Sequence, residues 1–102
     1  MSINYNTTIV TTTPYTVTSS DEVILVDVTS GPKMIMLPAP SGSCKSGRAL
    51  YIKDYSGASL TNPITIKGSP GKLIDGVSFA MLNGGYSHIQ VVYDGANWMT
   101  IS

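Results

Sequence analysis

The residues able to carry out chemistry are few in this sequence and widely spaced. There is one histidine, His88, one cysteine, Cys44, and six acidic residues: Asp21, Glu22, Asp27, Asp54, Asp75 and Asp94. A metal site needs several such ligands close together, and a glycosidase needs a matched pair of carboxylates. Three of the aspartates end strand-like runs beside turn residues, where Asp is favoured for conformational reasons. We therefore predict no catalytic residue, no metal site and no cofactor, and we interpret His88 as a surface or interface residue.

Charged residues are scarce and do not cluster. They make up 12% of the chain, and the formal net charge is zero, whereas a typical domain has about 25% charged residues. Binding to nucleic acid needs clustered positive charge, so the composition predicts no nucleic-acid partner. The first residues lack the basic and apolar regions of a signal peptide, and no apolar run approaches the roughly 20 residues of a membrane helix. We expect no signal peptide and no membrane insertion.

Short runs rich in β-branched and aromatic residues recur along the chain, separated by Gly, Pro, Asn and Asp. Such spacing, about one strand every 8–12 residues, predicts an all-β fold, an antiparallel β-sandwich or β-prism-like domain. The Thr-rich residues 1–20 are interpreted as an extended N-terminal arm, a first strand or a linker, and residues 21–102 as a single β domain. The predicted strands lie near residues 4–10, 15–18, 22–28, 33–37, 48–54, 64–67, 77–82, 86–93 and 97–101.

The closing segment IQVVYDGANWMTIS gives the clearest local prediction. Asp94-Gly95 between two strand-like runs predicts a type I′ hairpin turn, because that turn needs positive φ at both central residues. Trp98 should lie on the neighbouring strand, close to a row of alternate residues that share one face. That row consists of Ile89, Val91 and Tyr93.

Two runs, VILV at 23–26 and MIML at 34–37, are apolar at successive positions. Both faces of such strands would therefore be apolar, which indicates burial on both sides. A two-layer domain of this size covers one face of each sheet, so other copies of the chain could cover the second face. The alternative is a central strand with a few exposed apolar residues. The candidate residues of an oligomer core are Val23, Leu25, Met34, Met36 and Val92.

Tyrosine is the enriched aromatic residue, with six copies. Its ring offers a large apolar face and a polar tip, which suits stacking on a sugar or anchoring a protein partner. The alternative is packing between strands with the hydroxyl reaching water. The candidate ligand contacts are turn residues outside the predicted sheet interior: Tyr55, Asn83, Tyr86 and Asn97.

Four segments follow one another in a specific order: ILVDVTSGPKMIMLPAP, GRALYIKDYSGASLTNPITIKG, GKLIDG and YSHIQVVYDGANWMTIS. Their order and spacing, over residues 22–102, resemble a small all-β domain of tail fibres, tailspikes and related surface fibres of bacteriophages and other large DNA viruses. The resemblance implies a structural module that commonly trimerises at or near the distal end of a fibre. It implies no catalytic residues.

Together these observations predict a viral structural protein, a homotrimeric fibre head, spike or capsid decoration on the virion surface. Its expected partners are further copies of the chain and other virion proteins. The alternative is a carbohydrate- or host-receptor-binding module that contacts a host-surface glycan. A glycan hydrolase fragment of the tailspike type is a third interpretation.

Overall fold

The computed structural model describes residues 5–39 and 45–101, and within them it contains nine β-strands and no helix. Each strand lies inside one of the predicted strand segments, so the prediction of an all-β fold is confirmed. The described residues accordingly include no apolar helix able to cross a membrane. The strands are β1 Thr7–Val10, β2 Tyr15–Thr16, β3 Val23–Val26, β4 Lys33–Met36, β5 Ala49–Asp54, β6 Ile64–Lys67, β7 Phe79–Leu82, β8 His88–Tyr93 and β9 Trp98–Thr100.

The strands form a five-stranded sheet in the order β1-β3-β5-β8-β9 and a four-stranded sheet in the order β2-β4-β6-β7. For the first six strands the chain alternates between the sheets, so three successive coils each place one strand in each sheet. We call these six strands the coil region. Their neighbours within a sheet are all parallel: β1 with β3, β3 with β5, β2 with β4, and β4 with β6.

The last three strands, which we call the cap, are antiparallel to their neighbours. They pair as β7 with β6, β8 with β5, and β9 with β8. The sheets are therefore mixed, and the prediction of an antiparallel fold was wrong for the coil region. Strand alternation and turn residues look the same in both arrangements. Parallel neighbours need a long crossover, and here a strand of the other sheet serves as that crossover.

The first 20 residues contribute one strand to each sheet. Thr7–Val10 pairs with β3, and Tyr15–Thr16 pairs with β4. Val10 and Val17 are both buried in the common core. Of the three interpretations, an arm, a first strand or a linker, the first strand fits the described residues, which form the first coil of the fold.

One hydrophobic core draws residues from both sheets, because alternate residues of each strand point inward. Fully buried side chains such as Ile24, Ile35 and Ile66 each contribute about 1.5–3 kcal/mol relative to exposure. Trp98 is fully buried and packs on Tyr93, with ring centroids 5.3 Å apart. The predicted place of Trp98 beside the row of Ile89, Val91 and Tyr93 is confirmed.

The predicted type I′ turn at Asp94-Gly95 is wrong. The Asp94 N–H donates to the Asn97 carbonyl, so the central residues of the turn are Gly95 and Ala96. Only Gly95 has a positive φ, 103°, which is the pattern of a type II′ turn. The Asp94 carboxylate accepts hydrogen bonds from the N–H groups of Ala96 and Asn97, both at 2.8 Å, and so shifts the turn by one residue.

Type I′ geometry occurs instead at the other Asp-Gly pair. Asp75 and Gly76 have φ values of 51° and 81°. The flanking residues Ile74 and Val77 exchange both backbone hydrogen bonds, at 2.8 and 3.0 Å. An Asp-Gly pair thus does form a type I′ turn in this protein, but the turn lies within the connection between β6 and β7 and not in the closing hairpin.

Candidate functional site

The aspartates at strand ends hold turns in place. The Asp75 carboxylate accepts hydrogen bonds from the hydroxyl and the N–H of Thr100, the latter at 2.9 Å, and these bonds lower the pKa of Asp75. The N–H groups of Asn97 and Ala96 likewise lower the pKa of Asp94. Both carboxylates thus fasten the cap by accepting hydrogen bonds from nearby N–H and O–H groups.

Asp54 is fully buried and joins two connections at one end of the molecule. One carboxylate oxygen accepts from the N–H groups of Ser56 and Gly57 at 3.1 and 2.9 Å. The other accepts from the N–H groups of Ser59 and Tyr86, both at 3.0 Å. Burial alone would raise the pKa of Asp54, but these hydrogen bonds outweigh it and lower the pKa to about 2. Asp54 is therefore a fixed anion that ties the β5–β6 connection to the β7–β8 connection.

Tyr86 is held in an unusual backbone conformation beside this carboxylate. Its φ of 59° lies in the left-handed region, which costs a non-glycine residue about 1–3 kcal/mol. Its carbonyl accepts a hydrogen bond from Lys53 Nζ at 2.6 Å. Gly57 has a φ of 81°, and a Cβ atom there would lie 2.6 Å from the outer atoms of the Tyr86 ring, so a larger residue would be strained and would displace the ring. Tyr86 is 60% exposed, and the fold therefore presents an aromatic residue with a fixed backbone to solvent.

Three of the four predicted ligand-contact residues lie at this end of the five-stranded sheet. Tyr55 directly follows β5 and is 49% exposed, and Asn83 and Tyr86 are exposed in the β7–β8 connection. Asn97 lies beyond the other end of β8, a strand about 20 Å long. Its side-chain oxygen accepts a hydrogen bond from the Leu73 N–H at 2.9 Å. The structure therefore groups Tyr55, Asn83 and Tyr86 and leaves Asn97 in a separate turn.

The five predicted oligomer-core residues are half-buried, and they divide between two outward faces. The alternation within each strand places their side chains on the side opposite the common core. Val23, Leu25 and Val92 belong to the five-stranded sheet, whereas Met34 and Met36 belong to the four-stranded sheet. The two groups therefore form two separate surfaces.

The outward face of the five-stranded sheet carries further apolar residues. Ile9 is 54% exposed beside Leu25, and Tyr5 packs on Tyr51 with ring centroids 5.6 Å apart. A groove of about 380 Å³ runs along this face and includes Tyr5, Val23, Leu25 and Tyr51 among its lining residues. Lys53 and the exposed His88 face each other across β5 and β8 at its rim. His88 is thus a surface residue of the chain, as predicted.

The outward face of the four-stranded sheet is apolar, with a cation at one end. Met34 and Met36 lie on β4, and Phe79 and Met81 on β7 are 47% and 44% exposed. Lys67 stands between them, since it pairs with Met36 on one side and Phe79 on the other. Lys67 is the last residue of β6, so the cation lies at one end of this apolar surface.

A second buried carboxylate, Asp21, was missed by the sequence analysis. It accepts hydrogen bonds from Thr8 Oγ1 and the Tyr15 hydroxyl, both at 2.6 Å, and from the Thr18 N–H at 2.9 Å. Burial favours a raised pKa for Asp21, but these bonds outweigh it and lower the pKa. Arg48 donates to the backbone carbonyls of Ser19 and Asp21. The run Thr-Ser-Ser-Asp, a turn signature, could have indicated this cluster.

Within the part of the chain that the structure describes, no three His, Cys, Asp or Glu side chains come close enough to hold a metal ion. Cys44 lies outside the described residues. A comparison with known proteins finds no family whose sequence pattern matches this chain and no curated protein that matches it. The two outward sheet faces and the β7–β8 connection, which carries Tyr86, are therefore the features from which a function can be inferred.

Proposed function

We propose that this protein is a structural module of a virion surface, a fibre head, spike or decoration, that assembles as a homotrimer. Each chain contributes a sandwich of its two sheets, and copies meet through the outward face of the five-stranded sheet. The observation that supports this proposal is the set of half-buried apolar residues, Val23, Leu25 and Val92, on a face that no other strand of the described residues covers. The resemblance of residues 22–102 to viral fibre domains supports the same role.

Burial of this face would stabilise an assembly. Apolar surface contributes about 25 cal/mol per Å² when it leaves water, and stable interfaces bury about 1,000 Å² or more. Ile9, beside Leu25, is 54% exposed, and Met99, beside Val92, is 41% exposed, so apolar residues of this face lie at both edges of the sheet. The formal net charge of zero leaves little repulsion between copies.

Three copies cannot place both outward faces at a common three-fold axis, because the faces lie on opposite sides of the core. The five-stranded face is favoured by how its cation is held. Lys53 lies near the end of β5, and its amine donates a hydrogen bond to the Tyr86 carbonyl. Lys67 on the four-stranded face lies at the end of β6, and its amine makes no hydrogen bond within the described residues. Burying that charge without a partner would cost free energy.

The mass of the protein in solution tests this proposal, together with two matched variants. We expect light scattering to give three times the 10.8 kDa chain mass. Leu25→Glu should give monomers, because it places a charge in the proposed contact, and Met36→Glu should leave the trimer intact. A parent protein that is monomeric at micromolar concentration would contradict the assembly. Dissociation by Met36→Glu alone would assign the contact to the other face.

A second role, binding of a host-surface glycan, is favoured by the exposed aromatic side chain of Tyr86. A sugar ring could stack on this surface while Asn83 supplies hydrogen bonds. Three such sites on one trimer would bind by avidity. We do not propose turnover of the glycan, because Asp54 and Asp75 are committed to holding turns.

The glycan role can be tested with a variant that removes the ring and keeps the backbone conformation. Asn tolerates the left-handed region, so Tyr86→Asn should fold and lose binding on a glycan array. Phe79→Ala, which removes an exposed ring from the face of the four-stranded sheet, serves as the control and should bind normally. Binding should change little between low and high salt, and a collapse at high salt would point to charge-based recognition instead.

A further inference from the structure

The two edge strands of the five-stranded sheet differ in whether their outward backbone groups are hydrogen-bonded. The outer edge of β9 is covered by residues 73–75 of the same chain. The Trp98 N–H donates to the Leu73 carbonyl at 2.9 Å, and the Asp75 N–H donates to the Trp98 carbonyl at 3.0 Å. The Thr100 N–H donates to the Asp75 carboxylate at 2.9 Å. Backbone groups that would otherwise be open at this edge are therefore occupied.

The other edge is β1, and its outward backbone groups can be identified. The carbonyls of Asn6 and Val10 accept hydrogen bonds from the N–H groups of Val23 and Asp27, both at 2.9 Å, so these residues face β3. Successive residues of a strand point their backbone groups to opposite sides. The N–H and carbonyl groups of Thr7 and Ile9 therefore point away from the sheet. No strand of the described chain lies on that side.

The edge of β1 also lacks the features that usually prevent strand addition. Natural edges carry charged residues, proline, bulges or a covering segment. β1 has the sequence TTIV, without charge or proline, and Ile9 is 54% exposed. The four-stranded sheet is open on the same side, because β2 is its edge strand. The first coil thus presents the edges of both sheets together.

We infer that the outer edge of β1 is a docking site for an extended, uncharged strand of a neighbouring chain. The strand would add parallel to β1, as β1 adds to β3, and bond to the backbone groups of Thr7 and Ile9. A strand in this direction could continue through a turn to the edge of β2, which completes another coil. The residue of the added strand that lies beside Val10 and points inward must be apolar, because it would extend the hydrophobic core. The docking uses the backbone groups at the edge of the sheet, whereas the proposed trimer uses the outward face of the sheet, to which the Ile9 side chain also belongs.

A synthetic peptide of residues 5–11, YNTTIVT, is the probe, since a β1-like strand already occupies the equivalent edge of β3. Binding is measured by fluorescence anisotropy of the labelled peptide, and amide exchange is followed residue by residue by NMR. We expect saturating peptide to slow exchange of the Thr7 and Ile9 amides at least tenfold. The amides of Thr8 and Val10, which already face β3, should change little.

Three variants complete the test. Ile9→Pro removes an outward N–H that makes no bond within the described chain, and it should weaken peptide binding at least tenfold. Ile9→Lys, a milder change should the proline variant fail to fold, places a charge at the same edge and should also weaken binding. Met99→Lys adds the same charge at the covered edge of the same sheet and should bind the peptide normally.

The inference is overturned if both Ile9 variants bind the peptide as tightly as the parent, or if the peptide fails to bind at millimolar concentration. It is also overturned if the Thr7 and Ile9 amides of the protein alone are protected equally at every protein concentration, because the chain would then cover its own edge. Protection that rises with protein concentration would support the inference and identify a second copy of this chain as the neighbour.

Discussion

The coil region and the cap are built from strands of similar length but pair in opposite directions. In the coil region Val23 pairs with Tyr51, so the partners are distant in sequence. In the cap Tyr93 pairs with Trp98 across a single turn. The difference lies in the connections: those of the coil region cross to the other sheet, whereas the β8–β9 turn stays within one sheet. Pairing direction is therefore decided by where the chain goes between strands.

The two regions also differ in what holds them. The coil region is held mainly by stacked inward residues, such as Ile24 beside Ile52 and Ile35 beside Ile66. The cap relies on carboxylates, with Asp75 and Asp94 fastening its turns. Asp54 links the regions, because it binds the N–H groups of both Ser59 and Tyr86.

Removing Asp54 should have the largest effect, because it detaches the cap from the coil region. We expect Asp54→Ala to lower the free energy of unfolding by about 3–5 kcal/mol, since four N–H groups lose their common buried acceptor. Denaturant unfolding measures the loss. Asp94→Ala, which removes an exposed turn carboxylate, is the matched control and should lose much less. Equal losses of unfolding free energy in the two variants would mean that Asp54 does not link the cap to the coil region.

Acid should weaken the same link. The ordinary pKa of this carboxyl is 3.8, and the folded state lowers it to about 2. The lowered value means that the stabilisation is present above about pH 4 and is lost as the pH falls through 2. The shift corresponds to about 2–3 kcal/mol. Between pH 5 and 2 the parent should lose about this much more unfolding free energy than Asp54→Asn, and parallel curves would refute the assignment.

The two Asp-Gly turns can be compared directly. Gly76→Val and Gly95→Val should each cost about 2 kcal/mol, because a β-branched residue is strained at positive φ. Gly76→Asn should be better tolerated, since φ there is 81°, nearer the left-handed region than the 103° of Gly95. Thermal melting measures all three variants. If Gly95→Val melts within a degree or two of the parent, the turn assignment is wrong.

The smallest expected effect concerns the first coil. Tyr15→Phe removes the hydroxyl that donates to Asp21 and should cost about 1.5 kcal/mol. Burial and the nearby Asp21 carboxylate raise the pKa of Tyr15 to about 12. The parent should therefore keep this stabilisation up to about pH 10 and lose it between pH 10 and 12, whereas Tyr15→Phe should not show this loss. Identical alkaline melting curves would contradict the hydrogen bond.

Sequence patterns located all nine strands because β-branched runs and turn residues are local properties. They could not fix the direction of pairing, since the partner of Val23 is Tyr51 and nothing near either residue identifies the other. Both Asp-Gly pairs carry the same local signal, so the sequence could not show that the type I′ turn lies at Asp75 and not at Asp94. Sequence patterns missed Asp21 and the role of Asp54, since the hydrogen-bond partners of a carboxylate depend on how distant connections meet. Asn97 joined the ligand candidates because the end of the sheet at which a turn lies cannot be deduced from residue type.

The covered outer edge of β9 also limits how this protein can aggregate. Fibril growth requires each molecule to offer two open sheet edges, one that joins the fibril and one that receives the next molecule. In the described part of the chain, the five-stranded sheet has its β9 edge occupied by residues 73–75. Two molecules that met through their β1 edges would leave no open edge in the joined sheet. Growth through this sheet would then stop at a pair, even where many copies are crowded together.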